Sequence, residues 1–337
     1  MPYARRIVEA HSIVPILQHS NTPALHPPTP PMREHKQGRH VAHEQPWRLV
    51  VALGYPPFVQ EGDEDRYHLL AEQGIRYVED MAPPLNRKEA QEPWFYPRYL
   101  TLLEKMGLRV NSTHLFFGGE ADISTGDPAK WKKAVETADA GVRHAAWVGA
   151  GYVVIHLSGE PVLPKERGQR MAAAVAALRE VAALARKKGL KVAVEFLPRS
   201  CLGNSADELL AAIRACRAKN VGICLDLNHA NLGQSLPENI AQCAPHLLGI
   251  HVSDNDGVDE RHWMPYEGVI DWAAAMKALK AARFNGAFVY EAVPRLLQLY
   301  LRSRPGQKRT DADLRFEYLR MRQDYESLTA LSDAPIA

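Results

Sequence analysis

The feature that most constrains this chain is a pattern that repeats eight times after Trp47: a short apolar run followed by a long stretch with helical periodicity. Runs rich in Val and Ile predict strands, and an apolar period near 3.6 predicts helices. The candidate strands are RLVVALG, GIRYVEDM, LRVNSTHLFF, YVVIHLSG, KVAVEFLP, VGICLDLNH, LLGIHVSD and AFVYEAVP. Strands of this kind that alternate with helices indicate a parallel sheet covered by helices. Eight such units favour a closed (β/α)8 barrel of the α/β class, the TIM-barrel architecture.

The first 46 residues differ from the rest of the chain. They include the segment ALHPPTPPMREHKQGRHVAHEQP, which is dense in Pro and His and has neither a strand nor a helix period. This composition predicts an irregular or disordered N-terminal extension over residues 1–46, followed by one barrel domain over 47–337. A doubly wound open sheet is the alternative, but its usual GxGxxG turn is missing, since the first strand leads into GYPPF.

Composition bounds the partners and the compartment. The formal net charge is only +2 and no block of like charges occurs, so a nucleic-acid partner is not expected on electrostatic grounds. No segment approaches the roughly 20 apolar residues that span a bilayer, and the early run IVPIL is too short for a secretion signal. Four cysteines occur without a CxxC pair, which indicates reduced, buried thiols. We therefore expect a cytoplasmic protein with no membrane partner.

Polar side chains stand at the ends of the apolar strands. The candidates are Glu79 and Asp80 on the second strand, followed by His114, His156, Glu195, Asp226, His251 and Glu291 on the third to eighth. The C-terminal ends of barrel strands meet at one mouth, where such enzymes carry their reactive groups. Because an unpaired charge is costly to bury, seven strands that end this way indicate a functional site rather than packing.

Four of these residues form a tighter set. Glu195, Asp226, His251 and Glu291 lie on consecutive strands, each about one β/α repeat apart, and can face a common centre. Three carboxylates crowded together would repel and raise at least one pKa. A divalent cation removes that repulsion, and oxygen-rich ligands with one imidazole suit Mn²⁺, which we favour, or Mg²⁺ or Co²⁺, with Zn²⁺ as a further option.

Five short segments, spread in order over the last four repeats, carry a resemblance to a known group of proteins. They are VAVEFLPR, ICLDLNHANL, GIHVSDNDG, HWMPYEGVIDW and FVYEAVP. Together they make the chain from Trp47 to Pro294 similar to the xylose-isomerase-like barrel superfamily of sugar phosphate isomerases and epimerases. That superfamily also contains the family-two AP endonucleases. One departure is Tyr266, which replaces the first Gly of the usual HLPLGEG and should add bulk near the mouth.

The resemblance implies an enzyme that removes a proton next to the carbonyl of a keto sugar or related polyol. Its equivalents of Glu195, Asp226, His251 and Glu291 bind one divalent metal, and the two glutamates act as the catalytic acid and base. The expected substrate contacts are His229, His114, His156, Arg199 and His262. The enediolate formed can lead to isomerisation or epimerisation. Elimination by a dehydratase or lyase, on a keto sugar, an inosose or a 3-keto glycoside, is the alternative outcome. A homo-oligomer is also compatible with the resemblance.

Two rival interpretations remain open. One is a trinuclear-zinc AP endonuclease, because its ligand positions are nearly all filled: His114, His156, Glu195, Asp226, His229, His251, Glu260, His262 and Glu291. Against it stand Glu260 in place of the usual Asp, a charge balance without a basic surface, and no glycine-rich opening motif. The other rival is a metal-free barrel that only binds a ligand. His229 distinguishes the sugar-enzyme interpretation, in which it contacts the substrate, from the endonuclease interpretation, in which it binds a metal.

Overall fold

Eight parallel strands close into a barrel in their order along the chain, and β1 pairs with β8 to complete the ring. The computed structural model describes residues 47–53, 64–83, 95–233, 235–304, 307 and 309–333. The predicted extension over residues 1–46 lies outside them. The strands are β1 (Arg48–Ala52), β2 (Tyr77–Met81), β3 (Arg109–His114), β4 (Tyr152–Ile155), β5 (Lys191–Glu195), β6 (Val221–Asp226), β7 (Leu247–Val252) and β8 (Ala287–Tyr290). The predicted (β/α)8 barrel is confirmed, and the closed ring excludes the open sheet.

Helices follow the strands and cover the barrel. The α-helices in the described residues are α1 (Glu64–Glu72), α2 (Phe95–Met106), α3 (Pro128–Val148), α4 (Arg167–Lys187), α5 (Ala206–Cys216), α6 (Leu227–Asn231), α7 (Leu236–Cys243), α8 (Trp272–Ala281), α9 (Arg295–Ser303) and α10 (Asp311–Asp333). Capping side chains mark several starts: Asp127 before α3, Ser205 before α5 and Asp271 before α8 each accept a backbone N–H of the first turn. α6 begins directly after β6, where the candidate strand VGICLDLNH was expected to continue to His229, and four residues separate α9 from β8.

Alternation along the strands decides which side chains point into the barrel. Tyr152, Val154, Ala193 and Cys224 form a small apolar cluster inside it. Glu195 and Asp226 come two residues after Ala193 and Cys224, so the period of two turns both carboxylates inward, one layer nearer the mouth. In β7 the same alternation relates Gly249 to His251, and Gly249 leaves room for the Tyr152 hydroxyl, which a Cβ would meet at 2.3 Å.

The larger apolar core lies between the strands and the helices. Val192 and Val194 of β5 face it with no exposed surface. All four cysteines are buried free thiols, as the sequence predicted. Within the described ranges, no helix combines the length and apolar character needed to cross a membrane.

Candidate metal centre and active site

Four side chains from consecutive strands meet at the mouth of the barrel. Glu195, Asp226, His251 and Glu291, which we call the central group, each offer one ligand atom, and these atoms lie within 4.8 Å of one another. His251 Nδ1 is 3.1 Å from Glu291 Oε2, 3.5 Å from Glu195 Oε1 and 4.0 Å from Asp226 Oδ2. One imidazole nitrogen therefore faces three carboxylates, the arrangement that the strand-end residues predicted.

The central group contains buried polar atoms whose hydrogen-bonding capacity is unused. Asp226 Oδ1 accepts the His229 backbone N–H at 2.9 Å. Asp226 Oδ2 and both ring nitrogens of His251, however, are buried and make no hydrogen bond with the residues that the structure describes. Burial raises the pKa of Asp226, the His229 charge opposes this, and Glu195 raises it further. A buried polar atom without a partner is costly, and a divalent cation would supply a partner for these carboxylate and imidazole atoms.

Glu79 supports the central group from inside the barrel. Its Oε1 lies 3.1 Å from His251 Nε2, and its Oε2 accepts the Ser112 hydroxyl at 2.5 Å. Burial opposes a charged His251, but Cys224 and Glu79 raise the pKa of this imidazole well above its usual value. Two acids that follow His251 closely in the chain, Asp254 and Asp256, are the other candidates to orient its ring. Asp254 accepts the Trp272 indole N–H at 2.9 Å, and Asp256 binds Arg261, so Glu79 has that position.

Asp80 lies on the other side of β2. It accepts hydrogen bonds from Thr113 Oγ1 at 2.7 Å and from the Tyr99 hydroxyl at 3.2 Å, and is 2.9 Å from His144 Nε2. We expected both Glu79 and Asp80 to end the strand at the mouth. Both lie within it, and because neighbouring strand residues face opposite sides, Asp80 packs behind the barrel wall.

A second set of donors adjoins the central group through Glu195. His114, His156 and Glu195, the first lateral group, also bring ligand atoms within 4.8 Å of one another. Glu195 Oε2 is 3.0 Å from His114 Nε2 and 2.8 Å from His156 Nε2. His114 Nδ1 donates to the Leu115 carbonyl at 2.8 Å, so Nε2 donates to Glu195 only when the ring is protonated. Burial disfavours that charge, but the bond to Glu195 raises the pKa of His114.

An exposed aromatic ring stands beside the first lateral group. Phe117 is 42% exposed and stacks on His156, with 4.3 Å between ring centroids and 28° between planes. Its ring also meets the His114 ring edge to face at 5.2 Å. Sequence reasoning missed Phe117, because one aromatic at a strand end resembles any packing residue. Its exposure beside two histidines distinguishes it.

A third set of donors lies on the short helix α6 after β6 and on the loop after β7. His229, Glu260 and His262 form the second lateral group. His229 Nε2 is 2.8 Å from Glu260 Oε2, and His229 Nδ1 donates to the Phe196 carbonyl at 2.9 Å. Burial opposes a charged His229, but Asp226 and Glu260 raise its pKa to about 10. Burial likewise opposes ionisation of Glu260, while His229 lowers its pKa to about 2. The two therefore form an ion pair.

Arg199 lies outside the three donor groups and touches one of them. Its Nη2 donates to Glu260 Oε1 at 2.8 Å and to Glu160 Oε2 at 2.8 Å, and its Nη1 donates to Asp259 Oδ1 at 2.7 Å. Nε also donates to Glu160. Since a guanidinium has five N–H groups, at most one remains for a substrate hydroxyl.

Three residues of the mouth loops have left-handed backbone conformations. Arg199, His262 and Tyr266 have φ values of 50°, 51° and 69°. Such values are uncommon outside glycine and concentrate at functional sites. Tyr266 occupies the position where the resembling sequences have Gly, and it adopts a φ that Gly favours. Its ring is 49% exposed and lies 6.2 Å from the Trp272 ring.

Comparisons with known proteins agree with this architecture. Residues 67–317, roughly three quarters of the chain, match the family model described as xylose isomerase-like TIM barrel. A D-tagatose 3-epimerase-like protein superimposes with a TM-score of 0.67 at 16% identity, over 86% of this chain and 100% of that one. An L-ribulose 3-epimerase superimposes with a TM-score of 0.66 at 19% identity, over 86% of this chain and 98% of that one. The 3-keto-D-glucoside 4-epimerase of E. coli superimposes with a TM-score of 0.63 at 17% identity, over 82% of this chain and 100% of that one. At these identities the likeness shows the fold alone.

The curated sequence relatives are aligned over shorter stretches. An uncharacterized protein of Methanocaldococcus jannaschii is 29% identical over 119 residues, which is 34% of this chain and 41% of the relative. An uncharacterized protein of Sinorhizobium fredii is 26% identical over 108 residues, or 31% and 34%. The chain thus spans less than half the length of either relative.

Proposed function

Since this chain belongs to the family of xylose isomerase-like TIM barrels, we propose that it is a divalent-metal-dependent isomerase or epimerase of a keto sugar or related polyol. The observation that carries the proposal is the central group, in which Glu195 and Glu291 lie at one site together with the unmet Asp226 and His251 atoms. The structural neighbours named as sugar epimerases support it, as they share the barrel.

The residues of the central group would hold the cation. Glu195, Asp226, His251 and Glu291 supply three carboxylates and one imidazole, which favours Mn²⁺ among the common divalent ions. When bound, the metal would polarise a substrate carbonyl and stabilise negative charge that develops on its oxygen. Glu79 would hold the His251 ring so that Nδ1 faces the site.

In the proposed reaction the two glutamates would move protons on different sides of the site. Glu195 is the last residue of β5, and Glu291 follows β8, three strands farther around the eight-stranded ring. Burial opposes ionisation of both, but His156 and His251 keep the pKa of Glu195 well below its usual range, and His251 and His262 lower that of Glu291 to about 2. Each is therefore a carboxylate at neutral pH. One glutamate can remove a proton from the carbon beside the carbonyl and so becomes a carboxylic acid. The other takes a proton from solvent and delivers it to the opposite face of the same carbon, which gives epimerisation, and loss of the first proton to water restores both carboxylates.

The remaining mouth residues would bind the substrate. His229, His262, His114 and His156 surround the central group and are the proposed contacts for sugar hydroxyls. Both ring nitrogens of His114 and His229 already have protein partners, so these two rings would exchange a carboxylate partner for a hydroxyl, and Arg199 retains at most one N–H. Phe117 adds an apolar face. A substrate with a leaving group on the next carbon would undergo elimination after the same proton removal, so a dehydratase or lyase activity follows from the same site.

Deuterium incorporation from D₂O tests the proposal. The protein, loaded with Mn²⁺, is incubated with a panel of free and phosphorylated keto sugars, inososes and 3-keto glycosides, and the products are followed by NMR. We expect deuterium at a carbon next to the carbonyl of at least one compound, and no exchange after the metal is removed with a chelator. Exchange that persists without metal would overturn the metal dependence. A panel without any exchange would contradict the enolisation.

A second function is favoured by one specific observation. The three donor groups lie side by side, and Glu195 belongs to two of them, as expected for a cluster of metal ions that hydrolyses phosphodiesters. The chain would then be an AP endonuclease that cuts DNA at abasic sites. Metal analysis separates the functions: about one ion per chain supports sugar chemistry, and about three ions together with cleavage of an abasic duplex support the endonuclease.

A further inference from the structure

One arginine links three loops at the mouth of the barrel. Arg199 lies on the loop after β5, Glu160 on the loop after β4, and Asp259 and Glu260 on the loop after β7. Arg199 pairs with all three carboxylates at 2.7 to 2.8 Å. Because several partners fix the guanidinium, its charge is held beside Glu260 rather than moving in solvent.

We propose that Arg199 is a positioning residue that prevents a metal ion from binding at the second lateral group, His229, Glu260 and His262. The inference rests on the proposed function, because it concerns how many ions the site holds. A metal at this group needs the Glu260 carboxylate, which has one oxygen 2.8 Å from Arg199 Nη2 and the other 2.8 Å from His229 Nε2. A second, doubly charged cation on the same carboxylate would lie close to the guanidinium and be repelled by it.

The two other donor groups differ in the kind of cation that pairs with them. The ion-pair partners recorded for Glu195, Asp226 and Glu291 are imidazoles. An imidazole can lose its proton and become a metal ligand itself, so binding of a metal replaces one positive charge by another. A guanidinium keeps its proton at any ordinary pH and has no lone pair to offer. Arg199 therefore opposes metal binding at the second lateral group at every ordinary pH. The histidines of the two other groups do not, because they can deprotonate and bind the metal themselves.

The consequence concerns the role of His229 and Glu260. With the metal excluded, they remain an ion pair at the edge of the site, held by Arg199 on one side and by the Phe196 carbonyl on the other. His229 then keeps Phe196 and Glu260 as partners instead of binding a metal, and it contacts a substrate hydroxyl only by exchanging the Glu260 oxygen for it. Arg199 thus decides whether His229, the residue that distinguishes the sugar and DNA interpretations, can bind a metal.

The test counts the Zn²⁺ ions bound per chain, because two imidazoles and one carboxylate form a ligand set that suits zinc. Wild type, R199Q, R199K and R261Q are dialysed against Zn²⁺ alone, and bound metal is measured by mass spectrometry. We expect R199Q to bind one more ion per chain than wild type, and R199Q/H262A to return to the wild-type number. R199K keeps the charge and should match wild type. R261Q is the matched control, since Arg261 pairs with Asp256 and Asp259 on the same loop.

E260Q gives an independent answer if R199Q does not fold. Its metal content should equal that of wild type, since Glu260 binds no metal there; loss of one ion would overturn the inference. Equal numbers in folded R199Q and wild type would also overturn it while leaving the proposed function intact. Three ions in wild type would contradict both, so the two failures can be told apart.

Discussion

His251 lies between two acidic environments, one at the mouth and one inside the barrel. Nδ1 faces the three carboxylates of the central group, and Nε2 lies 3.1 Å from Glu79 Oε1. A carboxylate behind a metal-binding imidazole fixes the ring and makes it a better ligand. Glu79 should therefore affect the metal without touching it.

We expect E79Q to weaken Mn²⁺ binding by about 10 to 100-fold, the usual effect of losing such a supporting carboxylate. Isothermal titration calorimetry measures the Kd directly. D80N is the matched control, because the neighbouring acid faces away from the site and contacts His144 and Tyr99. D80N should lower the free energy of unfolding but leave the Kd unchanged. An E79Q protein with wild-type affinity would show that Glu79 does not support the metal.

Phe117 is the residue we expect to contribute most to substrate affinity without taking part in proton transfer. F117A should raise KM about tenfold with little change in kcat, because the lost apolar contact acts equally on substrate and transition state. Steady-state kinetics on the substrate identified by deuterium exchange measure both constants. F316A removes a ring that is 53% exposed on α10 and should leave KM unchanged. Equal effects of the two variants would remove the assigned role.

The alternation of side chains along strands explains how far the sequence predicted the site. In β5 and β6 an apolar run ends on an inward acid, so Glu195 and Asp226 could be placed at the mouth from the sequence. In β2 two acids are adjacent, and without the register of the strand nothing decides that Glu79 faces inward and Asp80 outward. The support of His251 by Glu79 depends on contact between distant strands, which the sequence could not show. The Arg199 network has the same origin, since it joins three loops.

The last helix carries a carboxylate that titrates unusually. Asp324 on α10 is buried, and burial raises its pKa to about 6 although Arg320 lies 3.2 Å away and lowers it. Because the folded value exceeds the unfolded value of 3.8, the folded protein keeps this proton to higher pH. This group therefore makes the free energy of unfolding fall as pH rises from about 4 to about 6.

We expect D324N to be more stable than wild type at pH 7 by about 1 to 3 kcal/mol, and the difference to shrink towards pH 4. Urea unfolding at several pH values gives the two curves. E326Q changes an exposed acid on the same helix, which pairs with Arg322. This control should change the free energy of unfolding only slightly, and by nearly the same amount at each pH. A D324N curve parallel to the wild-type curve would contradict the raised pKa.

The residues of the central group come from four consecutive strands of the barrel and their ends. Unfolding separates these strands and destroys the site, so a metal that binds the folded chain must stabilise it. The arrangement also explains why the fold was predictable as a whole: eight repeats and one ring of strand-end residues constrain each other. The choice of substrate depends on the loops at the barrel mouth, and their sequences show no repeat comparable to that of the strands and helices.

We expect Mn²⁺ at a hundredfold excess over its Kd to stabilise the folded protein by about 2.7 kcal/mol, and a chelator to reverse this. Differential scanning calorimetry follows the change as a shift in Tm. D226N should lose the response to metal because it removes a ligand. D271A, which removes the N-cap of α8, should lower Tm but keep the full metal-dependent increment. Stabilisation of D226N equal to that of wild type would place the metal elsewhere.

The most direct test of the central claim is the rate of deuterium incorporation into the keto sugar substrate by Mn²⁺-loaded wild type, E195Q and E291Q. We expect exchange at the carbon beside the carbonyl in wild type, a loss of about 10² to 10⁴-fold in each variant, and none in the metal-free protein. Metal content measured in the same samples shows whether a variant has lost its base or its cation. Undiminished exchange in both metal-loaded variants would show that these glutamates do not move the proton, and would contradict the proposed mechanism.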